Sequence, residues 1–378
     1  MEFDMEKFIA LIVVKVTWLF TFAIPVNKKK ITFISYFENK LTGNFKLISK
    51  ELQKRDNDYK LVFLIHKFNN SLLDKLYYVL YFAIQTYHIN TSAIVLLDGN
   101  NFPVCNITKK KQTTIIQIWH ACGGIKKFGY DINRRFDIKN YDYVYVAGNE
   151  FKCTFSSAFQ VEQDKVISLG VAKTDILYNE GKMESYKELV YNKYPQIKNK
   201  KVVLYAPTFR GDGAFDRQYV NIDLEYLYNK LGQDYILLYK LHPFLESISL
   251  GKDNNDNIIN VNNIDLYKLF SVTDILISDY SAIIFDFSIL ERPIILYTPD
   301  LVVYEEERGF YYNYREFAPG PICFNEEEIA EVIATQNYKL DRVQDLKYKY
   351  FDYHDGLSTQ RIANDIEDII SRNTPHNF

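Results

Sequence analysis

Two histidines stand directly behind apolar runs of the kind that form buried strands. His120 follows the run 113–119 and opens a glycine-rich loop, Ala121-Cys122-Gly123-Gly124-Ile125, with Lys126 and Lys127 behind it. A neutral imidazole can take a proton from an attacking hydroxyl, because histidine ionises near neutral pH. The loop offers no apolar helical face to bury the ring, and the glycine pair lets backbone approach a ligand. The plain alternative is a histidine bonded to its own loop. His242 lies beside Lys240 and before Pro243. A Lys/His pair at a strand end can hold phosphate oxygens; the alternative is a turn set by the proline. Pro207-Thr208-Phe209-Arg210, behind the run 202–206, adds a hydroxyl and a fixed cation, and Lys173, behind Gly170, adds another cation. Each alone reads equally well as a solvated loop residue. Together they all fall at the carboxyl ends of expected strands, in both halves of the chain.

The elements that must position them are organised around residues 274–297. Residues 275–277 read as a buried parallel strand. Ser278, Asp279 and Ser281 are helix-capping types, and Ile283, Ile284, Phe287 and Leu290 follow at helical spacing. Pro293 then opens a second buried run, 294–297. A helix that starts directly behind a strand presents free N–H groups and a positive dipole end, which suits phosphate. In open α/β sheets such sites lie at the carboxyl ends of the strands. From this stretch alone, a capped β-α unit with nothing bound is the alternative. Further strands are expected at 31–36, 61–66, 93–97, 113–119, 143–147 and 165–169, with helices at 44–55 and 71–85. Residues 180–200 are polar and read as a joint. A second series follows, with strands at 202–206 and 236–240 and helices at 224–231, 265–270, 325–335 and 358–371. The Asn- and Asp-rich residues 251–263 read as a solvated loop. Alternating strands and helices in two halves predict an α/β fold of two doubly wound, Rossmann-like domains. They resemble the glycosyltransferase-B (GT-B) plan, with a cleft between the domains. The expected divisions are an amphipathic N-terminal helix over 1–27 and α/β domains over 28–185 and 186–378. The last helix is free to pack back on the first domain.

Composition narrows the function classes. A chain of 378 residues suffices for two such cores, and a net charge of −3 argues against nucleic acid as partner. Cys105, Cys122, Cys153 and Cys323 form no Cys-x-x-Cys pair, which points away from zinc and disulfides and towards a reducing compartment. Tyr141-Asp142-Tyr143 carries one carboxylate, and no Asp/Glu/His cluster has metal-ligand spacing, so no metal or cofactor is expected. A phosphate-binding Gly-x-x-x-x-Gly-Lys loop is absent, as is a Gly-x-Gly-x-x-Gly behind the first strand. Residues 8–26 are apolar around Lys15 and run into Lys28, Lys29 and Lys30. Their length just allows a membrane span, although a central lysine costs about 2.5–3.5 kcal/mol. The acidic start, Glu2, Asp4 and Glu6, disfavours a signal peptide. A helix lying in the bilayer interface with its basic end on anionic headgroups suits Trp18 and the lysines best; a span and a buried first helix are the alternatives.

Six motifs, in order over residues 28–370, resemble the CDP-glycerol:polyol glycerophosphotransferases of wall teichoic acid and capsule synthesis. They are Gln117-Ile-Trp-His-Ala-Cys-Gly-Gly-Ile-Lys-Lys-Phe-Gly, Tyr205-Ala-Pro-Thr-Phe-Arg, Lys240-Leu-His-Pro, Ser278-Asp-Tyr-Ser-Ala-Ile-Ile-Phe-Asp-Phe, Arg292-Pro-Ile-Ile-Leu-Tyr, and Glu307-Arg-Gly-Phe-Tyr-Tyr-Asn-Tyr with Ala318-Pro-Gly-Pro. The resemblance implies a GT-B-like fold and no required metal. It implies transfer of glycerol phosphate or ribitol phosphate from CDP-glycerol or CDP-ribitol to a hydroxyl of a lipid-linked glycan, with CMP leaving. It also implies that 28–185 is the acceptor-side domain and 186–378 the CDP-donor-binding domain, and a peripheral seat on the cytoplasmic face of the membrane. By the resemblance, His120 in the Trp119-His120 motif matches the general base, and Lys173 falls where the family often has Arg. Pro207 and Thr208 match donor contacts, as does Asp286, and Lys240 and His242 match the diphosphate-binding motif. Ser281 and Ala282 match a Ser-Ser pair, so Ala282 removes one hydroxyl. The loop 121–124 also departs from the common Gly-Thr-Pro form, and the long accessory domains of the polymerases are missing, which favours a priming or capsule-type enzyme. A nucleotide-sugar glycosyltransferase or sialyltransferase of the same fold, and a catalytically silent nucleotide-binding scaffold, are the rival readings.

Overall fold

The computed structural model describes residues 5–56, 58–67, 71–132, 137–210, 220–241, 250 and 255–373. The chain divides into two compact units. The first comprises residues 1–122, 128–175 and 351–378, and the second 123–127 and 176–350. From the N-terminus the first contains α1 (Met5–Phe22), β1 (Asn27–Ser35), α2 (Gly43–Arg55), β2 (Lys60–Ile65), α3 (Leu72–Thr91), β3 (Ser92–Leu97), α4 (Phe102–Asn106), β4 (Thr114–Gln117), β5 (Tyr143–Val146), α5 (Lys152–Phe159) and β6 (Val166–Ser168). The second contains α6 (Glu180–Lys193), β7 (Lys201–Tyr205), α7 (Leu224–Leu231), β8 (Tyr235–Tyr239), β9 (Ile258–Asn260), α8 (Leu266–Phe270), β10 (Ile275–Ser278), α9 (Ile283–Ser288), β11 (Ile294–Tyr297), α10 (Leu301–Arg308), α11 (Tyr314–Phe317), β12 (Ile322–Cys323), α12 (Glu326–Thr335) and α13 (Leu340–Tyr350). α14 (Ser358–Arg372) returns to the first unit.

The first sheet is parallel, in the order β2-β1-β3-β4-β5-β6. β3 is buried along its whole length, as befits a strand covered on both faces. Phe33, Ile94, Leu96 and Ile116 form the core with Ile48 and Leu52 of α2 and Ile362 and Ile366 of α14. α14 is tied down by Asp175, whose carboxylate accepts Ser358 N at 2.9 Å and Thr359 N at 2.7 Å, capping the helix from outside. Gly170 makes this junction possible. Its φ is +83°, and a Cβ there would lie 2.2 Å from Ser358 Oγ.

The second sheet is parallel too, in the order β12-β11-β10-β7-β8-β9. Counted within the unit this is 6-5-4-1-2-3, so the connections reverse between β7 and β10, where doubly wound folds bind ligands. Its core joins Val203, Leu237, Ile277 and Ile295 to Leu227 of α7 and Ile329 of α12. Two expectations need correction. Within the Asn- and Asp-rich run, Ile258–Asn260 adds an edge strand to β8. Residues 180–193, where composition suggests a joint, are helical.

α1 turns its apolar side outward. Met5, Ile9, Ile12, Val16, Leu19 and Phe20 are exposed, Phe20 by 76%, and they recur at i, i+3 and i+4 spacing along one face. Ala10, Val14 and Thr21 form its buried side, and the helix packs on α3. α3 likewise exposes Leu73, Leu76, Leu80 and Ile84. No described helix is long and apolar enough to cross a membrane.

Candidate active site

In the first unit His120 is placed by a strained turn. The buried Gln117 at the end of β4 donates through Nε2 to Gly99 O at 3.0 Å and accepts Trp119 N through Oε1 at 3.0 Å. Trp119 then takes a left-handed φ of +48°, costly for an aromatic residue and retained only where packing enforces it. The packing is there: its ring stacks on Phe128 at 5.0 Å and meets the edge of Phe159 at 5.2 Å. The turn leaves His120 exposed. Its ring lies 4.5 Å from that of Phe37, and Nδ1 is 3.1 Å from the backbone oxygen of Asp98. With the proton on Nδ1 donated to that carbonyl, the neutral ring carries its lone pair on Nε2, the tautomer a general base requires. Phe37 and Asp98 follow β1 and β3, the two strands between which this sheet's connections reverse. Asn44 of α2 fastens the neighbourhood, accepting Lys173 N at 2.9 Å and donating to Trp119 O at 3.4 Å. Lys173 Nζ reaches the His120 carbonyl at 3.3 Å. Trp119, His120 and Lys173 are therefore one cluster.

The Asp98 side chain, directly behind β3, is one that its place at a strand end does not single out. Its Oδ1 is buried without a hydrogen-bond partner among the described residues. Burial pushes the carboxyl up to about 7, against a bond from Ser35 that favours ionisation. A carboxyl whose folded pKa is raised contributes stability below its unfolded value that is lost as pH rises through 7. Asp98→Asn should therefore become more stable relative to the wild type as pH rises from 4 to 8, by on the order of 2–4 kcal/mol. Urea unfolding at the two pH values measures this. A pH-independent difference would contradict it.

In the second unit the loops behind β7 and β10 meet at the reversal point. Thr208 N donates to both oxygens of the buried Asp279, at 2.9 and 3.1 Å. Arg210 donates from Nη1 to Asp279 at 2.8 Å and from Nε to Asp300 at 2.6 Å. Its guanidinium lies 4.8 Å from each ring centroid of the stacked pair Tyr280 and Tyr304. Burial disfavours its charge, but the two carboxylates outweigh this and hold its pKa above the usual guanidinium value. Burial likewise raises Asp300, and Arg210 more than reverses the effect. The charge of Arg210 is thus committed within the protein. Thr208 differs, because its hydroxyl is buried with no hydrogen-bond partner among the described residues.

Lys126 is a cation that its position behind two glycines did not distinguish from its neighbour. An antiparallel bridge between Lys126 and Phe310 fixes it, with Tyr311 N donating to Ile125 O at 2.9 Å. Burial pulls its ammonium down to about 8, against the pull of Asp279.

The remaining expected residues are less simply disposed. Pro207 is buried in the β7 loop. Ser281 accepts Ile283 N at 3.4 Å, and Ala282 occupies the N-cap of α9, which is six residues long. Asp286 is buried and accepts the Tyr267 hydroxyl at 3.0 Å. Lys240 Nζ donates to Asn262 O and Ile264 O, each at 2.8 Å. His242 lies outside the described residues. Among the described residues, no three His, Cys, Asp or Glu side chains are grouped to hold a metal ion.

Residues 17–368 match the family described as CDP-glycerol:poly(glycerophosphate) glycerophosphotransferase. The teichoic acid ribitol-phosphate primase of Bacillus spizizenii is 33% identical, with 92% of this chain and 93% of the relative aligned. The teichoic acid glycerol-phosphate primase of Bacillus subtilis is 32% identical over 91% and 93%. A poly(ribitol-phosphate) polymerase of Bacillus spizizenii is 31% identical, but the chain spans 59% of its length. Among solved structures, the wall teichoic acid polymerase TagF superposes with a TM-score of 0.74 at 25% identity, covering 93% of this chain and 91% of that one. The UDP complex of MnaA from S. aureus, at 14% identity and a TM-score of 0.57 over 92% and 99%, shares the fold alone. The chain belongs to the CDP-glycerol:poly(glycerophosphate) glycerophosphotransferase family and is a transferase of teichoic acid synthesis.

Proposed function

We propose that the chain is a priming enzyme, adding glycerol phosphate or ribitol phosphate from a CDP-activated donor to a hydroxyl of a lipid-linked glycan. The observation that carries this reading is the His120 ring, turned out by a strained backbone and held through Nδ1. His120 Nε2 takes the acceptor's proton as the acceptor oxygen forms a bond to the polyol-side phosphorus. The bond from that phosphorus to the bridging oxygen breaks, and CMP leaves with its electron pair. The unpartnered Thr208 hydroxyl, Lys126 and His242 hold the diphosphate, with Ser281 beside them. Lys240 and Arg210 act differently from simple phosphate ligands: each braces a loop at a strand end. The two primases are 33% and 32% identical to the chain, against 30% for a poly(glycerol phosphate) polymerase of Bacillus spizizenii likewise aligned over 93% of its length, which supports one addition over many. The outward stripe of α1 supports a peripheral position on the cytoplasmic membrane face.

The test offers CDP-glycerol, CDP-ribitol, CMP-sialic acid and UDP-sugars with a defined lipid-linked disaccharide, and analyses the products. CMP release from one CDP-polyol, with a single unit added, is the expected outcome. Turnover of UDP-sugars or CMP-sialic acid alone would replace the reading with glycosyl transfer, and donor binding without turnover would make the chain a scaffold.

A further inference from the structure

At the C-terminal end of α1 the first unit has a cavity of about 670 Å³, within the size range of ligand pockets. Phe22, Ile24 and Pro25 give it an apolar lip, with Phe22 exposed by 42% and Ile24 by 38%. Lys28, Lys110 and Lys111 line it together with Lys109, and no acidic residue does. Lys109 is neutralised by Asp142 at 2.9 Å. Lys110 is spent differently, donating to the last-turn carbonyl of Thr21 at 3.5 Å and to Ile24 O, with its ammonium 5.5 Å from the Phe22 ring centroid. Its charge favours the negative end of α1 but is not cancelled by a carboxylate. Lys28 and Lys111 are exposed and have no carboxylate partner among the described residues. The pocket therefore presents exposed cations beside exposed apolar side chains at its mouth, over a wall that includes the buried Ala93. It adjoins the last turn of the outward stripe, where Leu19 and Phe20 are exposed by 66% and 76%.

We propose that this cavity receives the phosphate headgroup of an anionic phospholipid in the bilayer, its acyl chains lying along the outward face of α1. The inference rests on the peripheral membrane reading above and goes beyond it in naming the cavity that takes the headgroup and the lysines, Lys28 and Lys111, that select it. A hydrated free phosphate would match the lysines but would leave the apolar rim in water. An anionic lipid covers both, since lysines near a charged leaflet and buried apolar area add in membrane binding.

The test is co-sedimentation of the full chain with vesicles of phosphatidylcholine alone and of phosphatidylcholine with phosphatidylglycerol. The wild type should bind the mixed vesicles more tightly. Lys28→Glu/Lys111→Glu should lose roughly tenfold or more of that affinity. It should keep wild-type binding to phosphatidylcholine and wild-type turnover on a soluble acceptor. Leu19→Asp/Phe20→Asp should lose both vesicle types. If the wild type binds both vesicle types alike and the lysine variant changes nothing, the headgroup site is overturned while the membrane reading stands. If the wild type binds neither, the membrane reading falls and takes this inference with it. Release from mixed vesicles by millimolar glycerol phosphate would assign the cavity to a soluble anion instead. A solution dimer that Leu19→Asp/Phe20→Asp dissociates would assign the stripe to a second copy of the chain. Either result overturns the proposal.

Discussion

His120→Ala should lower turnover by about 10²–10⁴-fold, the usual contribution of a positioned general base. CMP release from the CDP-polyol in the presence of acceptor is the readout. The fold should survive, because the ring is exposed and its Nδ1 contact is to one backbone oxygen. The strained Trp119 turn is held by Gln117 and by the Phe128 and Phe159 rings, which remain when the His120 ring, 4.2 Å from that of Trp119, is removed. An unchanged melting transition with lost turnover is therefore the expected pair of results. Near-normal turnover would remove His120 as the base. Lost turnover with a collapsed melt would make it a structural residue.

Arg210→Ala should be the most destabilising single change in the second unit, by about 3–5 kcal/mol. The guanidinium neutralises Asp279 and Asp300 and lies 4.8 Å from both ring centroids of the stacked tyrosine pair. Asp279 is 1% exposed, so truncation leaves a charge that water cannot reach. Arg210→Lys should recover little, since an ammonium cannot serve both carboxylates in a planar fork or stack on the rings. The defect should depend on pH. Asp300 is held below its ordinary value, so its share of the stability is present at neutral pH and disappears as pH falls through that lowered value. Urea unfolding of the wild type and both variants at pH 7 and pH 3 measures this. An unaltered melt combined with lost donor affinity would instead make Arg210 a direct phosphate ligand.

The frame of both units was legible because parallel strands covered on two faces read as unbroken apolar runs. β3 and β11 are buried along their whole lengths. Short or partly exposed elements were not legible. β9 is three residues in an Asn-rich run, recognisable only once β8 lies beside it. α10 exposes Val302 and Val303 and continues into Glu305, Glu306 and Glu307, so no apolar stripe marks it. Apolar spacing located α1 but could not say which side faces the protein. The site divides in the same way. Histidine, threonine and lysine at strand ends can be read from the chain. The partners of Arg210 cannot, being 69 and 90 residues away. Nor could the sequence show that Asp286 turns inward to Tyr267, or that the Asp98 carboxyl is buried beside the histidine loop.

In the proposed mechanism His120 moves the proton, and the loops behind β7 and β10 hold the donor. The equilibrium affinity of His120→Ala for CDP-glycerol or CDP-ribitol, by calorimetry without acceptor, tests this most directly, with Thr208→Val as the counterpart. The account predicts donor affinity within about twofold of wild type for His120→Ala. For Thr208→Val it predicts a loss of roughly tenfold, the scale of one hydrogen bond to a charged group. Donor affinity that falls with the rate in His120→Ala, while Thr208→Val binds normally, would contradict it.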